Sequence, residues 1–156
     1  MTPAIKQLES AGVDFTVAEY AHDPRTPAYG EEAARALGLS PDEVFKTLLA
    51  KLDDGRLAVA IVPVSHWLDL KALARAAGAR KAVMAEAEEA QRATGYVVGG
   101  ISPLGQKRRL PTFLDASAEA LPALHVSGGR RGLEIRLAPA DLVRLTGARL
   151  APLARS

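Results

Sequence analysis

KTLLAKLDDGRLAVAIVPV, Lys46 to Val64, decides the architecture. Lys46 to Leu52 reads as a strand, and Asp54-Gly55 is a hairpin signal. Leu57 to Val64 is then the returning strand, and its near-continuous apolar run predicts cover on both faces. Upstream, Ser40-Pro41-Asp42-Glu43 has the pattern of a capping box and predicts a short helix. Before it, Glu31 to Leu37 reads as a helix stopped by Gly38, and His22 to Gly30 as a loop marked by Pro24 and Pro27. Val13, Phe15 and Val17 alternate as a strand reaching Tyr20. Thr2 caps a first helix with Pro3 at its start and Gly12 as its stop.

Downstream, helices are expected over Asp69 to Ala77 and Glu86 to Thr94, ended by Gly78 and Gly95. Short strands follow at Tyr96 to Val98, Leu110 to Leu114, Leu124 to Ser127 and Leu133 to Leu137. Pro139 opens a last helix ending near Thr146, and Arg149 to Leu153 adds an edge strand. Hairpins mix with scattered helices and no regular βαβ repeat appears. The expected class is α+β: a mixed, largely antiparallel sheet surrounded by helices, with curling towards a barrel left open.

A chain of 156 residues, 48% hydrophobic and 24% charged, suits one core and one domain over residues 1–156. The absence of cysteine excludes disulfides, thiolate zinc sites and a cysteine nucleophile, and fits a reducing compartment. Met1 to Asp14 holds no long apolar run, and no stretch approaches a membrane span, so a cytoplasmic protein is expected. Charge is uneven. Acidic residues outnumber basic ones 11 to 8 over residues 1–78, and basic outnumber acidic 12 to 7 over residues 79–156. Such a basic half suits an anionic partner. On charge alone, a solvated surface is the simpler explanation.

Familiar catalytic patterns are missing. His22, His66 and His125 have no HExxH spacing, and neither a Gly-x-Ser-x-Gly elbow nor a phosphate-binding GxxxxGK[ST] loop occurs. Aromatics at 4% argue against a base-stacking platform. Two glycine-rich turns remain. Gly99-Gly100-Ile101-Ser102-Pro103-Leu104-Gly105 leads into Lys107, Arg108 and Arg109, and Ser127-Gly128-Gly129-Arg130-Arg131-Gly132 forms the second. Glycine lets backbone N–H groups approach an anion closely. Together the turns suit a phosphate or ester site. Lys46 at a strand entry, and Tyr20 and Tyr29 beside the proline loop, are by themselves unremarkable surface and packing residues.

Four segments resemble the YbaK/EbsC family of Cys-tRNA(Pro) deacylases, which is related to the editing domain of prolyl-tRNA synthetase. They are Tyr29 to Ala34, Val44 to Leu48, Gly95 to Arg108 and Ser127 to Glu134, in family order across Tyr20 to Leu142. The resemblance implies a trans-editing hydrolase that needs no cofactor or metal. It would cleave mischarged Cys-tRNA(Pro), with the substrate's own thiol attacking the ester. Lys46, Gly99 and Gly100 map to the catalytic positions. Tyr20, Tyr29, Thr47, Ile101, Ser102, Pro103, Gly105, Ser127, Gly128 and Glu134 map to substrate binding. Glu134 departs from the aspartate expected there. Lys107, Arg108, Arg130 and Arg131 would contact the acceptor end of tRNA, and prolyl-tRNA synthetase is an expected partner. Editing of another small aminoacyl-tRNA such as Ala-tRNA(Pro), or a non-catalytic tRNA- or synthetase-binding module, are the alternatives.

Overall fold

The Thr2 hydroxyl accepts from the Ile5 amide and starts α1 (Pro3–Ala11), which ends on left-handed Gly12. The computed structural model describes residues 1–26 and 29–156. After α1 come β1 (Phe15–Glu19), α2 (Tyr29–Leu37), β2 (Phe45–Leu52), β3 (Leu57–Pro63) and β4 (Trp67–Leu68). The chain continues through α3 (Leu70–Ala76), β5 (Ala82–Met84), α4 (Ala87–Thr94), β6 (Thr112–Asp115) and a 3₁₀ turn over Ala116–Ala120. It ends with β7 (Leu124–Ser127), β8 (Leu133–Leu137), α5 (Pro139–Thr146), β9 (Arg149–Ala151) and β10 (Ala154–Arg155).

The strands form a five-stranded sheet in the order β5-β2-β3-β6-β9, a three-stranded sheet β1-β8-β7, and a ribbon β10-β4. The β2–β3 hairpin is antiparallel, whereas β3–β6 and β6–β9 are parallel. This is the expected mixed, largely antiparallel α+β fold, and the sheets do not close into a barrel.

Every residue of β3 is buried, as its unbroken apolar run implied. Leu57, Val59 and Ile61 enter one cluster with α1, α4, β7, β8 and α5. Ala58, Ala60 and Val62 enter the other, against α3 and Leu153. The alanines let α3 lie close to the sheet. Among the described residues, no helix is long and apolar enough to cross a membrane.

Two expected elements do not form. Ser40 to Glu43 makes a single turn, closed by the Glu43 amide on the Ser40 carbonyl at 3.0 Å. Beyond it the Glu43 carbonyl already accepts from His125, so the chain is committed to the sheet. Tyr96 to Val98 is a turn because the Gly100 amide bonds back to the Val97 carbonyl at 2.8 Å. The Tyr96 ring is buried, with its hydroxyl on the Leu104 carbonyl. In addition, α2 begins at Tyr29 rather than Glu31.

Candidate active site

The site lies where the two sheets part. At the start of β2, Val44 bridges to His125 of β7. At its end, Ala50 to Leu52 pair with β5. Between these contacts no strand pairs with residues 45–48 on that edge among the described residues. A free edge presents backbone N–H and C=O groups, and here it faces a cavity of about 470 Å³. That volume is within the roughly 300–1,000 Å³ usual for small-molecule sites. Consecutive residues Val44 to Leu49 line it, together with groups from α2, β5, α4 and both glycine turns.

Lys46 is half-buried at the mouth of this cavity. Its Nζ donates to the His66 carbonyl at 2.8 Å and lies 5.4 Å from the Trp67 ring centroid. Burial holds the ammonium below its ordinary range, partly offset by the Glu31 carboxylate. Gly30 is required close by, because a Cβ there would run into the Val64 side chain.

Two buried polar atoms, Thr47 Oγ1 and Glu134 Oε2, have no hydrogen-bond partner among the described residues. Both residues line the cavity. Leaving such a group unpaired costs about 1–3 kcal/mol. Glu134 is opposite Ser127 in the β7–β8 register, which puts both side chains on one face. Glu134 is only 6% exposed, and burial pushes its carboxyl up to about 8. Tyr20 is raised as well, chiefly by burial, with a smaller contribution from Glu134.

The glycine turns divide between the cavity and the scaffold. Gly99 and Ile101 line the cavity, and their amides make no hydrogen bond among the described residues. Gly100 does not line it: its amide closes the Val97 turn, and a Cβ would lie 2.7 Å from Arg130 Cα. Gly100 therefore joins the two glycine turns. Ser102, Pro103 and Gly105, expected against substrate, lie outside the cavity. Ser102 is wholly buried, and its Oγ accepts from the Leu104 amide. The Gly105 amide donates to Gln7 Oε1, and its Cα packs on the backbone of Pro3 and Ala4. Gly128 is likewise structural, bonded to the Leu133 carbonyl and packed on the Leu133 side chain.

The expected tRNA-contacting residues also separate. Lys107 and Arg108 are exposed, and Arg130 is exposed on the rim of the cavity, 3.5 Å from Glu19. Arg131 is different. Its guanidinium stacks 3.6 Å from the Tyr29 ring centroid and sits 3.0 Å from His22 Nε2. His22 Nδ1 is in turn 2.7 Å from Glu32. An arginine has no lone pair to accept with, so His22 Nε2 accepts and Nδ1–H donates to Glu32. The Glu32–His22–Arg131–Tyr29 chain clasps the proline loop to the second glycine turn. Arg131 is thereby engaged with His22 and the start of α2.

No protein nucleophile with a base is present among the cavity residues. Ser127 Oγ accepts from the Gly129 amide, and no imidazole lines the cavity. One serine–histidine contact exists, Ser65 Oγ to His66 Nδ1 at 2.8 Å. Its hydroxyl donates to Asp42 at 2.6 Å, so the imidazole is the donor to serine and cannot take its proton. Sequence reasoning brought Tyr20, Tyr29, Lys46, Thr47, Gly99, Ile101, Ser127, Arg130 and Glu134 to one cavity. It missed Glu31, Trp67 and Met84, of which only Trp67, the single tryptophan, carried a signal.

The mixed α+β scaffold thus places a lysine, a buried acid and a glycine turn around one cavity. Residues 23–145 match the aminoacyl-tRNA editing domain, and the chain belongs to that family. It is 35% identical to EbsC of Enterococcus faecalis, assigned as a Cys-tRNA(Pro)/Cys-tRNA(Cys) deacylase, over 96% of this chain and 91% of that one. The proline–tRNA ligase of Trichlorobacter lovleyi is 27% identical over 92% of this chain and 26% of its own length. A crystal structure assigned as a trans-editing enzyme for prolyl-tRNA synthetase superposes with a TM-score of 0.85 at 29% identity, covering 100% of this chain and 99% of that one.

Proposed function

We propose that this protein is a cytoplasmic trans-editing hydrolase, acting as one domain, that deacylates mischarged Cys-tRNA(Pro) and works beside prolyl-tRNA synthetase. The observation that carries the reading is Lys46 at the cavity together with two buried, unpartnered polar atoms, Thr47 Oγ1 and Glu134 Oε2, on residues that line it. These two atoms form a polar subsite suited to the α-amino group of an aminoacyl ester. The carboxyl at about 8 lies close to the 7.7–8.0 of an α-amino group, so one proton can be shared between them.

The free amides of Gly99 and Ile101 would donate to the ester oxygen as it gains charge. Lys46 would stabilise the departing ribose oxygen or hold the adjoining phosphate. Preorganised donors of this kind account for several kcal/mol of barrier reduction. The attacking group is the substrate thiol: its sulfur attacks the ester carbonyl, the ribose oxygen leaves with a proton, and the resulting cyclic thioester is hydrolysed by water. Size selection in a pocket yields only about 1–3 kcal/mol, which is why a second, chemically distinct check is useful.

The test is single-turnover hydrolysis of Cys-, Ser-, Ala- and Pro-tRNA(Pro). Cys-tRNA(Pro) should be cleaved fastest, and Ser-tRNA(Pro), nearly isosteric, much more slowly, since a hydroxyl is a poor nucleophile without a base. Equal rates for the cysteinyl and seryl esters would exclude thiol attack. Absence of turnover on every ester would leave a binding module.

A further inference from the structure

Trp67 is the only tryptophan in the chain, and it is 65% exposed at the mouth of the cavity. An exposed indole is commonly a mobile surface residue, but this one stands on a fixed frame. Trp67 and Leu68 pair with Arg155 and Ala154 of β10. The amides of Leu153 and Ala154 both donate to Asp115, at 2.8 and 2.9 Å. Just after the strand, the Asp69 side chain caps α3. The ring is therefore held by the β4–β10 ribbon, the end of β6 and a helix cap.

Two cations flank it. Lys46 Nζ lies 5.4 Å from the ring centroid, and Arg155 is the exposed cross-strand partner of Trp67. Aromatics are scarce in the chain, yet Tyr20, Tyr29, Phe45 and Trp67 all line this one cavity. Three of them enclose its interior walls, and Trp67 alone is largely open to solvent. An aromatic face with a lysine beside it and an exposed arginine on the paired strand fits a nucleobase stacked on the ring and a phosphate at its edge.

We propose that Trp67 is the stacking platform for the terminal nucleobase of the acceptor end, with Arg155 placed for the phosphate preceding it. This rests on the reading that the cavity receives an ester carried by an RNA 3′ end. Base–aromatic stacking of the usual strength corresponds to about 10- to 100-fold in affinity.

Because Trp67 is the sole tryptophan, its fluorescence reports the platform directly, with or without catalysis. The trinucleotide CCA should quench it saturably, and uncharged tRNA should do so at lower concentration. In single-turnover deacylation of Cys-tRNA(Pro), Trp67→Ala should raise the half-saturating tRNA concentration about 10- to 100-fold. The saturated rate should stay within a few fold, Trp67→Phe should restore most of the affinity, and cleavage of cysteine methyl ester, which lacks a base, should not change. Arg155→Ala should steepen neither effect but reduce the salt dependence of tRNA binding by about one unit. Unaltered fluorescence with CCA and tRNA, together with an unshifted half-saturation in Trp67→Ala, would overturn the platform. Quenching by 5′-AMP that tRNA does not compete away would overturn it in favour of a free-nucleotide site. If no ester is cleaved but CCA still quenches, the editing reading fails and the base-binding site stands.

Discussion

Glu134→Gln isolates the cost of the buried acid. In the unfolded chain a glutamate titrates near 4.5, and in the folded protein burial pushes Glu134 up to about 8. Between those values the folded state keeps a proton that the unfolded state has released. Stability must therefore fall as pH rises through this window, by about 1.4 kcal/mol per unit. At pH 7 the accumulated penalty is about 3 kcal/mol, and it levels off near pH 8 at about 5 kcal/mol. Glutamine does not titrate and is free of that slope. Urea denaturation of both proteins at several pH values from about 5 to 8 measures the difference directly. The stability of Glu134→Gln minus that of the wild type should grow with pH across the window. Any fixed cost of burying the amide cancels in the change with pH. Stability curves that run parallel from pH 5 to 8 would refute the account: Glu134 would then be ionised in the folded protein, with a counter-charge or water meeting Oε2.

Other outcomes follow from the same geometry. Lys46→Ala should keep its far-UV circular dichroism and lose at least about 100-fold in deacylation rate, since among the described residues its ammonium meets a carbonyl and the Trp67 ring and no side-chain carboxylate at ion-pair distance. Gly100→Ala should lower stability by about 1–3 kcal/mol in thermal or chemical unfolding, because its Cβ meets the Arg130 backbone at 2.7 Å rather than a side chain that can yield. Charge reversal at Lys107 and Arg108, both exposed, should weaken tRNA binding and reduce its salt slope by about one unit per lost phosphate contact. The same reversal at Arg131 should instead release His22 and the start of α2, read as faster proteolysis near His22.

Most of the fold could be read because its signals are local. Thr2 and Gly12 bracket α1, Asp54-Gly55 turns the central hairpin, and the apolar run of β3 announces cover on both faces. The failures were long-range. Ser40 to Glu43 has the pattern of a helix start, but the pairing of Val44 with a strand some 80 residues away takes precedence. Within the site, residue type alone could not separate Gly99 from Gly105. One faces the cavity, and the other lies against α1, whose Pro3 and Gln7 are about a hundred residues distant. A low overall aromatic content similarly concealed their concentration around a single cavity, since composition averages over space.

The interrupted pairing along β2 has a consequence for how the sequence can vary. A strand with neighbours on both edges tolerates change in alternation, as successive side chains meet different surroundings. Val44 to Leu49 border one cavity on both faces and along an edge, so neighbouring positions answer to the same occupant. A saturation scan scored on editing should therefore show sensitivity at every position from 44 to 49. The same scan scored on folding alone should stay sensitive at the buried Val44, Phe45 and Leu49 and relax at the half-buried Lys46, Thr47 and Leu48.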